Sequence, residues 1–252
     1  MYELSAPPRI ADISVSAVGR NRLLTGLPPA DFALLAPHLA ETMLERDAVL
    51  AEAAQPIKRV TFPHGGLVSL LGVLPDGNAV DTATIGREGA IGLSAGLGAQ
   101  LAVSRAVVEL PGAAAQISPA RLMEAAAQSK AVRDMIVRYG DALLAQVQQS
   151  VVCNTVHHVQ ERLCRWLLQA HDRIEGDTIP LTQEFLSGLL GVQRTTITAI
   201  CRMLQAEGII DVRRGRIFIR NLPALTRKSC ACYGVVKRLN DQICRGQIGL
   251  AQ

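Results

Sequence analysis

Residues 181–220 place two helical patterns and a basic hairpin in immediate succession, which leaves few folds open to this part of the chain. The hydroxyl of Thr182 can accept a hydrogen bond from a free backbone N–H at the start of the first helix. Gly191 suits the left-handed backbone of a short turn between two helices. The second helix runs from Gln193 to about Glu207, and two short apolar strands follow around an Arg-Arg-Gly-Arg turn. This order predicts a winged helix-turn-helix that binds duplex DNA.

The polar face of the second helix carries side chains that can recognise base edges. Arginine can donate to O6 and N7 of guanine, and threonine can bond a base edge or contact a thymine methyl group. Arg194 lies near the N-terminal end of this helix, which usually enters the major groove, so we predict that it reads a base. The arginines of the hairpin suit phosphate contacts. The predicted DNA-binding residues are Thr182, Gln193, Arg194, Thr195, Thr196, Thr198, Arg202, Arg213, Arg214 and Arg216.

Basic residues are concentrated in the same part of the chain. Residues 157–252 contain 14 Lys and Arg against 8 Asp and Glu, whereas residues 1–156 contain 12 against 14. A positive C-terminal part attracts a polyphosphate. An aromatic content of 3% argues against recognition of single strands by stacked bases. The alternative, a three-helix domain with merely solvated arginines, does not explain why the turn glycine, polar helix face and basic hairpin occur in this order.

A long helical region precedes the DNA-binding pattern. Gly and Pro are almost absent from about Ala120 to Glu175, and apolar residues recur at spacings of three and four. We predict a break from Asn154 to His158. One apolar stripe is long enough for a coiled-coil-like dimer seam or for a face of the chain's own core, and periodicity does not separate the two. The stripe consists of Val132, Ile136, Tyr139, Leu143, Val147 and Val151.

The N-terminal half has the pattern of a compact antiparallel β domain. We predict a helix from about Pro29 to Leu44. Short β-compatible runs at 59–62, 67–71 and 103–110 then alternate with turns rich in Gly and Pro. Residues 1–20 are expected to form a flexible arm. The sequence shows no long apolar segment and no basic-then-apolar leader, so we expect a cytoplasmic protein without a membrane partner.

With a small helix, a β-roll, a long helix and a winged helix-turn-helix in this order, the chain resembles the CRP/FNR family of bacterial transcription regulators. The resemblance extends from about Arg22 to Arg220 and is most specific at Gly191-Val-Gln-Arg-Thr-Thr-Ile-Thr. It implies an α+β fold with a cyclic-nucleotide-binding-like, jelly-roll β-roll at 21–118. A linker and dimerisation helix at 119–156 and a winged helix-turn-helix domain at 157–252 would follow. It also implies a homodimer on palindromic double-stranded DNA.

At matching positions, the resemblance makes Arg194 the guanine-reading arginine and makes Thr195 and Thr198 specificity residues. Ala199 stands where the family has a second arginine, so the resemblance does not fix the target sequence. RNA polymerase is a further partner if the protein activates transcription, although the sequence identifies no surface for that contact.

The sensory half departs from the cyclic-nucleotide-binding members of the family. Those members hold the ribose with Glu and the cyclic phosphate with Arg, but Ala90 and Ala102-Val103 occupy the matching positions. Glu88 and Arg105 would substitute only through a register shift. An anionic phosphate without arginine is poorly neutralised, which argues against cyclic AMP. An unidentified effector remains an alternative. The glycine-rich stretch 86–98 would then bind it with backbone amides; otherwise this stretch is a flexible turn of the β-roll. The candidate effector-binding residues are Glu88, Gly89, Ala90, Gly92, Leu93, Ala102, Val103, Arg105 and Tyr139.

The six cysteines are expected to be reduced thiols. The N-terminal cysteine cluster of the oxygen-sensing family members is not supported, because the first cysteine is Cys153. Cys230, Cys232 and Cys244 suggest a metal or redox site, but the sequence offers neither a second close pair nor a nearby histidine. His157-His158, at the end of the long helix, is more typical of a hinge or surface. The sequence therefore predicts no metal site and no cofactor.

Enzyme motifs such as a P-loop, an HExxH helix or a nucleophile elbow are missing, so we predict that the chain is not an enzyme. The predicted function is sequence-specific transcription regulation controlled by a signal at the β-roll. A constitutive or cyclic-nucleotide-responsive regulator is an alternative within this class. In a different class, a nonspecific DNA-packaging protein would bind unrelated duplexes about equally.

Overall fold

A computed structural model describes residues 21–74, 79–174 and 176–244, with side chains as far as residue 242. The predicted arm at 1–20 and one of the predicted turns rich in Gly and Pro, Pro75-Asp76-Gly77-Asn78, lie outside the described residues. Among the described residues, no helix combines the length and apolarity that a bilayer crossing requires.

The N-terminal half is an antiparallel β-roll, as predicted. One sheet has the strand order β1-β7-β3 and the other the order β2-β6-β4-β5. Apolar side chains such as Phe62, Val68 and Val108 are fully buried, which gives the domain its core. The strands are β1 (Ala40–Leu44), β2 (Val49–Ala51), β3 (Val60–Pro63), β4 (Leu67–Val73), β5 (Ala79–Ile85), β6 (Arg105–Leu110) and β7 (Gly112–Ile117).

The prediction of one helix from Pro29 to Leu44 is wrong. After the short helix α1 (Arg22–Thr25), helix α2 covers only Pro29–Phe32, and a 3₁₀ turn follows at Ala36–His38. The remaining residues form β1, which pairs with β7. Pro37 is the physical reason, because a proline in a helix interior removes a hydrogen bond and clashes with the preceding turn.

Two consecutive helices then cross the face of the β-roll. Helix α3 (Pro119–Gln128) ends at Ser129, whose side chain accepts a hydrogen bond from Val132 N and caps helix α4 (Lys130–Val156). Helix α4 ends at His157, where its backbone becomes extended. The break predicted from Asn154 to His158 is therefore shorter than expected, because α4 continues through Val156 and only His157 and His158 separate it from the next helix.

The stripe predicted for α4 divides into a buried part and an exposed part. Val132, Ile136 and Tyr139 are at most 7% exposed and pack in the chain's own core with residues of the β-roll and α3. Their assignment to a dimer seam is corrected, because an intrachain partner already covers them. A different set of α4 side chains, set three and four residues apart, faces outwards or is half-buried: Val137, Gly140, Leu144, Val147 and Val151.

The C-terminal half is a winged helix-turn-helix, as predicted. Helix α5 (Val159–His171) carries Trp166, which is buried in a core shared with Leu67 and Leu110 of the β-roll. The remaining elements are β8 (Thr178–Ile179), α6 (Gln183–Leu190), α7 (Arg194–Ala206), β9 (Ile210–Arg213), β10 (Arg216–Ile219), α8 (Leu222–Lys228) and α9 (Cys232–Cys244). Helix α9 returns to pack against α4.

Two carboxyl groups on the strands that flank β4 have raised pKa values. Burial raises the pKa of Asp81 on β5 to about 7, although the charge of Arg165 opposes this shift. Burial also raises the pKa of Glu109 on β6 to about 7. Because the ordinary pKa of these groups is about 4, the folded protein binds more protons than the unfolded chain between about pH 4 and pH 7.

We expect the free energy of unfolding to fall as the pH rises through this range, because the unfolded chain releases these protons earlier. Glu109→Gln imitates the protonated acid, so the free energy of unfolding of this variant should depend less on pH. Urea unfolding followed by circular dichroism between about pH 5 and pH 8 measures it, with the exposed Glu45→Gln as a control. The same pH dependence in both variants would contradict the role of Glu109.

Candidate nucleic-acid interface and sensory cavity

The helix-turn-helix is formed by the local signals that the sequence contains. The side chain of Thr182 accepts a hydrogen bond from Phe185 N at 3.1 Å and so caps α6. Gly191 ends α6 with a φ of 65°, a left-handed conformation that glycine adopts without steric cost. The buried face of α7 consists of Ile197, Ile200, Cys201 and Leu204, as predicted. Packing of this face orients the opposite face of α7 towards solvent.

The outward face of α7 brings together several of the predicted DNA-binding residues. Gln193, Arg194, Thr195 and Arg202 are exposed, whereas Thr196 is half-buried. Arg194, Thr195, Arg202 and two further residues, Thr198 and Ala199, line one shallow depression of about 320 Å³. Their polar groups are therefore accessible to a groove of duplex DNA.

Two of these side chains have contacts that sequence reasoning missed. The Arg194 guanidinium lies 3.3 Å from the carboxylate of Glu184 on α6, and both side chains are about two-thirds exposed. Thr198 is half-buried, and its hydroxyl donates to Gln183 Oε1 at 2.8 Å. The ion pair with Glu184 holds the Arg194 side chain only weakly, because an exposed ion pair contributes little free energy. The second joins the two helices, so Thr198 has a structural partner besides any base.

The wing carries its arginines at the tip of a tight hairpin. Strands β9 and β10 pair directly, and Arg214 and Gly215 form the two-residue turn with φ of 46° and 74°. Positive φ at both positions matches the twist of a two-residue hairpin. Arg213, Arg214 and Arg216 are all exposed, with Arg213 lying 2.8 Å from Asp211. The wing thus presents positive charge beside α7.

The β-roll and α4 line a cavity of about 690 Å³ that is open to solvent on one side. Six of the predicted effector-binding residues line it, namely Ala90, Gly92, Leu93, Ala102, Val103 and Tyr139. Most of the other lining side chains are apolar, and Asp141 is the one charged residue among the lining residues in the described part of the chain. The cavity therefore offers volume for a small ligand but no cationic side chain for a phosphate.

Three predicted effector-binding residues lie elsewhere. Glu88 accepts hydrogen bonds from Arg173 at 2.9 Å and 2.5 Å, and their side chains are at most 11% exposed. Gly89 packs against Tyr139, where a Cβ would collide with the phenol ring. Arg105 lies 3.3 Å from Glu52 on the surface. The segment 86–89 thus connects the β-roll to the residues after α5, and neither Glu88 nor Arg105 faces the cavity.

The cysteines are arranged differently from the sequence expectation. Ligand atoms of Cys153, His157, Cys230 and Cys232 lie within 4.8 Å of one another. The expectation that no histidine lies near Cys230 and Cys232 is wrong, because α9 packs beside the end of α4, 75 residues away in sequence. The side chain of Cys244, the third cysteine of the predicted group, lies outside the described residues.

Comparison with known proteins agrees with this architecture. Residues 161–228 match the Crp-like helix-turn-helix domain. The structure of FixK2 from Bradyrhizobium japonicum superposes with a TM-score of 0.65 at 18% identity, covering 77% of this chain and 98% of that one. The structure of a CRP family transcriptional regulator from Thermus thermophilus superposes with a TM-score of 0.62 at 18% identity, covering 75% of this chain and 96% of that one.

A third similar structure is the c-di-GMP responsive global regulator CLP from Xanthomonas campestris, with a TM-score of 0.58 at 16% identity, covering 76% of this chain and 99% of that one. No curated protein matches the sequence. The chain thus has the fold of the CRP/FNR family of transcription regulators and carries their Crp-like helix-turn-helix domain.

Proposed function

We propose that the protein is a homodimeric transcription regulator that binds a palindromic DNA site through two copies of α7. The observation that carries this proposal is the exposed polar face of α7, with Arg194 at its N-terminal end and the arginines of the wing beside it. Arg194 would read a guanine in the major groove. The wing would contact phosphates, which contribute affinity without sequence preference.

The exposed side of α4 supports a dimer. Val137, Gly140, Leu144, Val147 and Val151, here called the outer α4 stripe, repeat at alternating spacings of three and four residues. This repeat is typical of a seam between two helices. Leu144 and Val151 are more than half exposed although both are apolar, and a second copy of α4 would bury them. Two-fold symmetry would then place two α7 helices on matching half-sites.

The cavity suggests how a signal would reach the dimer. Val137, Leu144 and Val147 belong to the outer α4 stripe and also line the cavity. A ligand in the cavity would therefore contact the surface on which the second subunit packs. Since cationic side chains are missing from the lining residues that the structure describes, an uncharged, largely apolar ligand fits the cavity better than cyclic AMP or a cyclic dinucleotide.

Selection of bound duplexes from a random DNA library tests the proposed function. We expect protein purified without added ligand, or supplied with a metabolite extract, to enrich a palindrome whose half-sites lie about 10 base pairs apart. Enrichment of a non-palindromic site would contradict the dimer. Equal retention of unrelated duplexes in both conditions would indicate a nonspecific DNA-packaging protein instead.

Leu144→Glu should convert the dimer into a monomer. Two carboxylates would meet across the seam in place of two apolar side chains, and buried unpaired charge is costly. Sedimentation velocity should show a shift to the monomer, and affinity for the palindrome should fall at least about 100-fold because the second half-site no longer contributes. Met123→Glu, which alters an exposed apolar residue on α3, is the matched control. A dimeric Leu144→Glu variant would refute the outer α4 stripe as the seam.

A further inference from the structure

Three thiols and one imidazole converge where the long helix ends and the DNA-binding domain begins. Cys153 and His157 are four residues apart at the end of α4, whereas Cys232 begins α9 and Cys230 lies two residues before it. The three cysteines are at most 4% exposed and form a cluster of their own, separate from the larger hydrophobic cores. We propose that these four side chains bind one zinc ion in a tetrahedral Cys₃His site.

The distances between the ligand atoms are close to those of a zinc site. Zinc–sulfur bonds of about 2.3 Å in a tetrahedron place two thiolates about 3.8 Å apart, and a thiolate lies slightly closer to a nitrogen ligand. Cys153 Sγ is 3.5 Å from Cys230 Sγ, and Cys232 Sγ is 3.6 Å from His157 Nδ1. All four atoms lie within 4.8 Å of one another. Only small side-chain adjustments would bring them to one ion.

The surroundings of the cluster also suit a bound metal. The amide Nε2 of Gln149 donates to Cys232 Sγ at 3.0 Å, which is the kind of outer hydrogen bond that orients a metal-binding thiolate. Three thiolates around Zn²⁺ leave one negative charge. The charge of Arg165 acts on both Cys153 and Cys230, and this guanidinium is almost buried with an Nε that has no hydrogen-bond partner. Arg165 would therefore compensate the excess charge of the loaded site.

Two alternatives, a purely apolar cluster and a disulfide, each explain fewer of these contacts than a zinc site does. An apolar role is consistent with buried cysteines, but it does not explain why the imidazole and the Gln149 amide point at sulfur. A disulfide between Cys153 and Cys230 would require their sulfurs to approach from 3.5 Å to about 2.05 Å, and it would leave Cys232 and His157 without a role. A soft, tetrahedral divalent ion uses all four ligands.

The location of the site determines its effect. Helix α4 belongs to the half of the chain that carries the cavity, whereas α9 follows the winged helix-turn-helix. His157 is also the residue at which α4 ends and the chain turns towards α5. Zinc would cross-link these two segments at the hinge and limit the orientations that the DNA-binding domain can adopt. A site of this kind contributes to stability mainly when the metal is bound.

Metal content is the direct test, and it does not depend on DNA binding. We expect the full-length protein, purified without chelator, to contain one zinc per chain by inductively coupled plasma mass spectrometry. Cobalt(II) added to the reduced metal-free protein should give the visible bands of tetrahedral thiolate coordination. His157→Ala and Cys232→Ser should each weaken zinc binding at least about 100-fold in competition with a chelating dye, more than the loss expected for Gln149→Ala.

Cys201→Ala is the matched control, because Cys201 is a fully buried cysteine on α7 whose pKa burial raises to about 11. It should retain one zinc per chain. His157→Ala alters a half-buried helix end, so circular dichroism should show that it folds even if Cys232→Ser does not. The proposal is overturned if the reduced parent protein binds neither zinc nor cobalt, if folded His157→Ala binds zinc as tightly as the parent, or if a Cys153–Cys230 disulfide forms in place of a metal site.

Discussion

We expect Arg194→Ala to weaken binding to the selected palindrome by about 1–3 kcal/mol for each half-site and to remove the preference for one base pair in it. The reason is that, in the proposed complex, alanine would leave the O6 and N7 acceptors of one guanine without donors. The loss of the Glu184 ion pair has little effect on the fold, because both partners are exposed. Fluorescence anisotropy with the palindrome and with single-base variants of it measures both the affinity and the preference.

The wing provides the contrasting variant. Arg213→Ala combined with Arg214→Ala should weaken binding to all duplexes and reduce the dependence of affinity on salt, because phosphate contacts release counterions. Arg194→Ala should reduce the salt dependence of the affinity much less than the double variant does. If Arg194→Ala binds every single-base variant in the same order of preference as the parent, then α7 is not inserted in the groove as proposed.

Glu88→Gln should lower the free energy of unfolding by about 3–5 kcal/mol, the usual effect of removing one partner from a buried ion pair. The Arg173 side chain is 4% exposed and also donates to the carbonyl groups of Gln169 and Thr84. Glutamine would leave its charge uncompensated. Gly86 packs directly against the stem of Arg173, where an added Cβ would collide with the methylene groups.

Urea unfolding of the parent, Glu88→Gln and Arg173→Met measures this effect. Glu52→Gln is the control, since it disrupts an ion pair with Arg105 in which both partners are well exposed, and it should change stability by less than about 1 kcal/mol. The double variant Glu88→Gln with Arg173→Met should recover part of the loss, because it removes the unpaired charge. A Glu88→Gln variant as stable as the parent would show that this pair does not hold the two halves together.

Local signals explain why the DNA-binding half could be predicted from the sequence. A cap at Thr182, a left-handed glycine at Gly191 and the hairpin turn at Arg214 and Gly215 each act within a few residues. The order of these signals fixes a winged helix-turn-helix without information from distant parts of the chain. The break at His157 could be predicted for the same reason.

Predictions were wrong, or missing, where the partner of a residue is distant in sequence. The spacing of apolar residues along α4 identifies an apolar stripe, but it does not show whether Val132 and Ile136 face the β-roll or a second subunit. The alanine-rich strand β7 has no strong β propensity, and it forms because β1 and β3 pair with it on both sides. The cysteine cluster depends on the return of α9 to α4, which no spacing within 153–232 indicates.

One wall of the cavity is also the face of α4 on which the second subunit would pack. Occupancy of the cavity and self-association are then linked equilibria, and each must alter the other by the same factor. Ligand titrations at protein concentrations above and below the dimer dissociation constant should therefore give different apparent affinities. The cellular abundance of the protein would itself tune its sensitivity to the signal.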